Sequence, residues 1–139
     1  MTEVIVNKNI NVSADKAWAN ISSFKGIENW SPIEKSETHG NGAGAKRTCY
    51  INGAPINETL NSVEDVKMEL EYQIDEGPFP IQGYVSTMKV EATGADTCKV
   101  TWGCEFVPND GAKEEMINLF NGFYKGSLEA LEGYIQGQN

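Results

Sequence analysis

The chain has 139 residues, 40% hydrophobic and 22% charged, with 20 Asp and Glu against 11 Lys and Arg for a formal net charge of −9. That length and composition suit one globular domain, 1–139, rather than a disordered chain. The acidic balance argues against nucleic acid and anionic membrane surfaces, both of which are held through Lys and Arg.

Residues 2–11 read as a first strand. Ser13 then offers an N-cap to a short helix starting at Ala14, with Asp15 near the positive end of the dipole. Ala17, Trp18 and Ile21 give it an apolar stripe, which Phe24 continues, and a second short helix or turn is expected over 24–29. Pro32 punctuates the chain. From 34 to 107 the pattern is β. In 45–51, Ala45, Arg47, Cys49 and Ile51 share a face; Asn52-Gly53-Ala54-Pro55 is a turn; in 56–63, Ile56, Glu58 and Leu60 share a face. Residues 67–75 alternate most cleanly, with Met68, Leu70, Tyr72 and Ile74 opposite Glu69, Glu71, Gln73 and Asp75. Glu76–Pro80 breaks that strand. Tyr84, Met88, Val90 and Ala92 mark the next, 93–96 a further turn, and Val100, Trp102, Cys104 and Phe106 the last. Half-apolar alternation joined by short turns describes an antiparallel meander with one wet face.

A final helix is expected over 112–136, where Met116, Leu119, Phe120, Phe123, Tyr124, Leu128, Leu131 and Ile135 recur at helical spacing. Its length, roughly 36 Å at ~1.5 Å per residue, is enough to cross the sheet. Gly122, Gly126 and Gly133 each cost ~1 kcal/mol relative to Ala inside a helix. They imply close backbone packing or room for a ligand. Gly137-Gln138-Asn139 reads as a frayed tail. The fold class is α+β: a curved antiparallel sheet of about seven strands around the long C-terminal helix, with two short helices after strand 1.

No segment has the apolar core of a signal peptide, and no run approaches the ~20 apolar residues of a membrane helix. Stable membrane insertion is not expected. Cys49, Cys98 and Cys104 are odd in number and lack Cys-x-x-Cys spacing, which suits free thiols in the cytoplasm. His39, the sole histidine, cannot build a zinc site alone, and Gly40–Gly44 precedes a strand rather than a helix. No metal or cofactor is therefore expected.

Three polar residues fall on apolar faces: Arg47, Glu58 and Tyr84. A buried Glu demands a partner, and a bidentate Arg across a tight turn supplies one. Trp30, Cys49, Leu60, Tyr72 and Met88 are candidate cavity residues beside them. Trp102, Phe120, Phe123 and Tyr124 complete the candidate wall.

The order of elements, with Val12–Trp18, Asn29-Trp30-Ser31-Pro32, Gly42–Arg47, Leu70-Glu71-Tyr72, Tyr84–Val90 and Val100-Thr101-Trp102, resembles the START/Bet v 1-like (SRPBCC) superfamily. Within it, the chain is most similar to the bacterial polyketide cyclase/dehydrase (MxaD-like) group. The resemblance implies a helix-grip fold with a cavity between sheet and C-terminal helix. More distantly it resembles plant lachrymatory-factor synthases, whose cavity Arg, Glu and Tyr fall on Arg47, Glu58 and Tyr84, and abscisic-acid receptors. In the receptors, loops matching Asn52–Pro55 and Glu76–Ile81 close over the ligand.

Three functions follow. The chain binds a small, mostly hydrophobic molecule, as a monomer or weak homodimer. Alternatively, it is a cofactor-independent cyclase, dehydratase or isomerase, with Glu58 as general acid or base, Tyr84 as proton donor and Arg47 stabilising an anion. Or it is a protein-interaction domain. An enclosed space of roughly 300 Å³ or more suits the first two, and a filled core with an exposed apolar patch the third. Replacing Glu58 with Gln is then expected to weaken binding or turnover while leaving the melting temperature nearly unchanged.

Overall fold

The computed structural model describes residues 1–138. These form β1 (Thr2–Ile10), α1 (Ala14–Ser22), a 3₁₀ turn (Ile27–Asn29), β2 (Lys35–His39), β3 (Lys46–Ile51), β4 (Ala54–Glu64), β5 (Glu69–Glu76), β6 (Ile81–Gly94), β7 (Thr97–Pro108) and α2 (Lys113–Gln136). The seven strands make one antiparallel sheet in the order β1-β7-β6-β5-β4-β3-β2. The chain therefore meanders from β2 to β7, and β1 closes on the far side of β7. Along β7 the inner residues Cys98, Val100, Trp102, Cys104 and Phe106 are buried, and they meet the apolar stripe of α2: Met116, Phe120, Tyr124, Leu128, Leu131 and Ile135. This is the α+β helix-grip arrangement, with α2 lying against the sheet's apolar face.

Ser13 caps α1, its hydroxyl accepting from the Lys16 N–H at 3.3 Å. The helix then stops at Ser22, before Phe24. Phe24 adopts φ +59°, an uncommon left-handed conformation for a bulky residue, and is 3% exposed. This turn drives its ring into the core instead of continuing the helical stripe. The turn after β3 is tighter than its four-residue sequence signature: Asn52 and Gly53 both take positive φ, as a two-residue hairpin requires, and Ala54 and Pro55 already pair with Ile51 and Tyr50. Met68 stands in the β4–β5 turn at φ +50° rather than on the β5 face, its N–H donating to the Asp65 carbonyl at 3.2 Å. Ala92 is exposed, beyond the part of β6 that the core covers.

The glycines of α2 fit neither expected reason. A Cβ placed on Gly122, Gly126 or Gly133 meets nothing within 4 Å, and all three are exposed. They face away from the sheet, so they neither admit a close neighbour nor leave room for a ligand. Leu119, read as part of the apolar stripe, is 40% exposed at its edge. Of the expected frayed tail, Asn139 lies outside the described residues, while the Gly137 N–H bonds back to the Gly133 carbonyl at 3.1 Å.

Candidate functional site

The β3–β4 hairpin sets Arg47 directly opposite Glu58. Two residues of hairpin loop fix this register, so parity alone sends both side chains inward. Arg47 and Glu58 are 5% and 7% exposed. The guanidinium reaches the carboxylate through Nε and Nη2, both 2.6 Å from Glu58 Oε1. Cys49 Sγ lies 3.8 Å from the same oxygen. Arg47 is further held by rings: its guanidinium carbon is 3.8 Å from the Phe24 ring centre and 5.4 Å from that of Tyr72. The left-handed turn at Phe24 thus has a consequence at the site. Sequence periodicity missed it, although Gly26, also at positive φ, marks the chain reversal that follows.

Strand irregularities flank the site. Asn57 pairs with Glu76 but Glu58 with Ile74, so one extra β5 residue, Asp75, is bulged beside Glu58. On β6, Gln82 pairs with Val107 and Val85 with Glu105, leaving an extra residue at Gly83-Tyr84, where Gly83 has φ +66°. Bulges of this kind bend a strand and re-aim a side chain. Tyr84 follows the second bulge and points inward, 4% exposed.

Tyr84 does not bond to the Arg47–Glu58 pair. It belongs to a chain of buried hydroxyls. The Trp102 indole N–H donates to Ser86 Oγ at 2.9 Å and lies 3.2 Å from the Tyr72 hydroxyl. Tyr72 meets Tyr84 at 3.3 Å, and Tyr84 hydrogen-bonds Tyr124. Ser86 donates to the Gly103 carbonyl at 2.8 Å. Ser86 has the same strand parity as Tyr84 and Met88, so the alternation that marks Tyr84 also marks Ser86 as a buried polar residue. Tyr72 and Tyr124 are members of this polar chain, not plain apolar wall.

Burial governs the electrostatics. It raises the Glu58 carboxyl above the usual carboxylate range, against the pull of the Arg47 charge and hydrogen bond. Burial also opposes the Arg47 charge, but the Glu58 carboxylate offsets it, and the guanidinium titrates above its ordinary value. Burial pushes the Cys49 thiol up to about 12, with Glu58 adding to the effect. The Tyr72, Tyr84 and Tyr124 phenols are all raised, chiefly by desolvation.

These groups surround a cavity of about 50 Å³ between the sheet and α2, with Cys49, Glu58, Tyr72, Tyr84, Trp102, Phe120, Phe123 and Tyr124 in its wall alongside Ile27, Ile33, Ile51, Ile56, Ile74, Phe79 and Leu119. Glu58 is the one charged residue among them. Arg47 is not in the wall; it stands behind Glu58. Trp30, Leu60 and Met88 are buried in the core but off the wall, Trp30 packing on Trp102 with ring centres 5.9 Å apart. The volume holds a few water molecules at most and falls well short of the roughly 300 Å³ of an ordinary ligand pocket.

A family model described as polyketide cyclase/dehydrase and lipid transport matches residues 1–136. The protein XoxI from Bacillus cereus has a solved structure 31% identical in sequence, superposing with a TM-score of 0.89 over 98% of this chain and 96% of that one. Norcoclaurine synthase from Thalictrum flavum, in complex with dopamine and hydroxybenzaldehyde, is 18% identical and shares the fold, with a TM-score of 0.77 over 99% of this chain and 88% of that one. A START superfamily protein from Mycobacterium smegmatis is 13% identical and likewise shares it, with a TM-score of 0.82 over 99% of both chains. No curated protein matches the sequence.

Proposed function

Because the chain belongs to the polyketide cyclase/dehydrase and lipid transport family, we propose that it binds one small, mostly hydrophobic molecule between the sheet and α2, with Glu58 and Tyr84 at the polar end of the site. The observation that carries this reading is the placement of Glu58: a buried carboxylate, anchored from behind by Arg47, in the wall of an otherwise largely apolar cavity. A purely structural core would lose little by replacing such a pair with apolar residues, because desolvating two charges consumes most of their attraction. An apolar wall with few polar groups is the usual construction of a small-molecule site.

The cavity must widen to admit a ligand. The wall residues able to give way are Ile51, Ile74, Phe79 and Phe123, which are only partly buried, and Leu119, which is exposed. Ile51 ends β3 beside the turn at Asn52-Gly53, Phe79 lies in the 76–81 connection, and Leu119 and Phe123 lie in the first half of α2, so the mouth falls among these segments. Native mass spectrometry of the purified protein tests the reading by seeking a co-purified small molecule, and amide-shift titrations with aromatic solutes test it directly. Saturable shifts confined to the cavity wall are expected. A wall that stays unperturbed by every solute would remove the proposal.

One observation favours catalysis as a second reading. A carboxyl held above its ordinary pKa inside a cavity suits general acid–base chemistry, so a cofactor-independent dehydratase, cyclase or isomerase would use Glu58 as its proton-transfer group and Tyr84 as a proton donor. Bound ligand recovered chemically unchanged after prolonged incubation would leave only the binding reading. The interaction-domain reading has weaker support, since the exposed large apolar residues Met1, Ile5, Val66, Val107 and Leu119 are spread over several parts of the fold.

A further inference from the structure

The hydrogen-bonding inventory of the cavity is one-sided. The Arg47 donors that meet Glu58 fall on Oε1, as does the contact from Cys49 Sγ, and none of these three falls on Oε2. Arg47 stands outside the wall, so the cavity meets the carboxylate and not the guanidinium. Most of the remaining protons in the wall are committed. An indole N–H can only donate, and that of Trp102 is directed to Ser86 and Tyr72. The Tyr72, Tyr84 and Tyr124 hydroxyls are linked in series, so two of their three protons lie in those links. Either oxygen can donate in each link, so the series leaves one phenol proton over. The wall thus sets a charged acceptor, the Glu58 carboxylate, against a single uncommitted phenol proton and no cation.

We propose that this site selects ligands carrying a hydrogen-bond donor, neutral or cationic (a phenol, an alcohol or an amine), which bonds to the Glu58 carboxylate, and that it rejects carboxylates and other anions. The inference rests on the ligand-binding reading above and adds the polarity of the recognised group. It also reassigns Arg47. The guanidinium does not stabilise a ligand anion; it orients Glu58 and balances its charge, while Phe24 and Tyr72 hold the guanidinium in place.

Four solutes of one shape test this at pH 7: 4-methylphenol, 4-methylanisole, 4-methylbenzoate and p-xylene. The readout is the Trp102 indole N–H resonance, which reports from the cavity wall, together with the amides of Cys49 and Tyr84. 4-Methylphenol should saturate with a dissociation constant at least about tenfold below that of 4-methylanisole, the ratio expected for losing one hydrogen bond to a charged acceptor. 4-Methylbenzoate should not bind. In the charge-free double variant Arg47→Met/Glu58→Leu, the phenol and the anisole should bind within about twofold of each other. Equal binding of phenol and anisole to the unaltered protein overturns the proposal, as does tighter binding of the benzoate; either result leaves the binding reading intact. A preference that persists in the double variant also overturns it. Failure of all four solutes, p-xylene included, overturns the binding reading and this inference together.

Discussion

The Arg47–Glu58 pair behaves differently from what its sequence position suggests. Parity alone leaves Glu58→Gln looking like a mild change. With both partners almost completely buried and the guanidinium enclosed by Phe24 and Tyr72, the substitution strands a cation in the core. Breaking one side of such a pair costs about 3–5 kcal/mol, whereas replacing both partners with apolar residues is often neutral. Urea unfolding of Glu58→Gln should therefore show a large loss, and Arg47→Met/Glu58→Leu should recover most of it. A single variant as stable as the unaltered protein would mean that the pair is wetter than its burial implies. The thiols give a second residue-level prediction. Cys49, Cys98 and Cys104 are free and buried, with Cys49 pushed up to about 12 and Cys104 up to about 11. Since the thiolate is the nucleophile, iodoacetamide at pH 8 should leave all three intact in the folded protein and modify all three in urea. Mass spectrometry counts the adducts, and rapid labelling of the native state would contradict the burial.

At the scale of elements, α2 carries a cost that the structure does not explain by packing. Gly122 and Gly126 lie mid-helix with open space where a Cβ would stand. Each should therefore accept Ala with a gain of roughly 0.5–1 kcal/mol, from helix propensity and a less flexible unfolded chain. Thermal melts of Gly122→Ala and Gly126→Ala check this, and a fall in melting temperature would reveal a contact on that face. The strands show why register was legible and detail was not. Alternation placed Arg47, Glu58 and Tyr84 inward because each lies where a ladder or a bulge preserves the local parity. It failed at Met68 and Ala92, where a left-handed turn and the edge of the core decide exposure instead of pattern. The left-handed turn at Phe24 and the bulge at Asp75 were invisible for the same reason. One residue's backbone conformation is set by what packs on it, and neither residue type advertises it.

For the molecule as a whole, buried groups that keep their protons set the alkaline limit of stability. In the unfolded chain the thiols titrate near their ordinary values of about 8.5. In the folded chain Cys104 and Cys49 hold their protons to about 11 and about 12, and the three buried phenols also hold theirs above the ordinary value. The folded state binds more protons across this window, so this stability is fully present below the unfolded pKa and is lost as pH rises towards the folded values. The urea midpoint should fall steadily between about pH 8 and pH 10.5, and less steeply in Cys104→Ala. A midpoint that stays flat over that range would contradict the shifts. The α+β class, the order of elements, the helix against the sheet and the inward direction of Arg47, Glu58 and Tyr84 were readable from the residues alone, because hydrophobic periodicity and turn chemistry are local properties that survive without a partner. Packing between elements set the rest: Arg47 stands behind Glu58, Tyr84 bonds to tyrosines and not to the pair, and the cavity is about 50 Å³. These depend on how far side chains from different strands and the helix reach into one shared volume, a quantity that no single segment encodes.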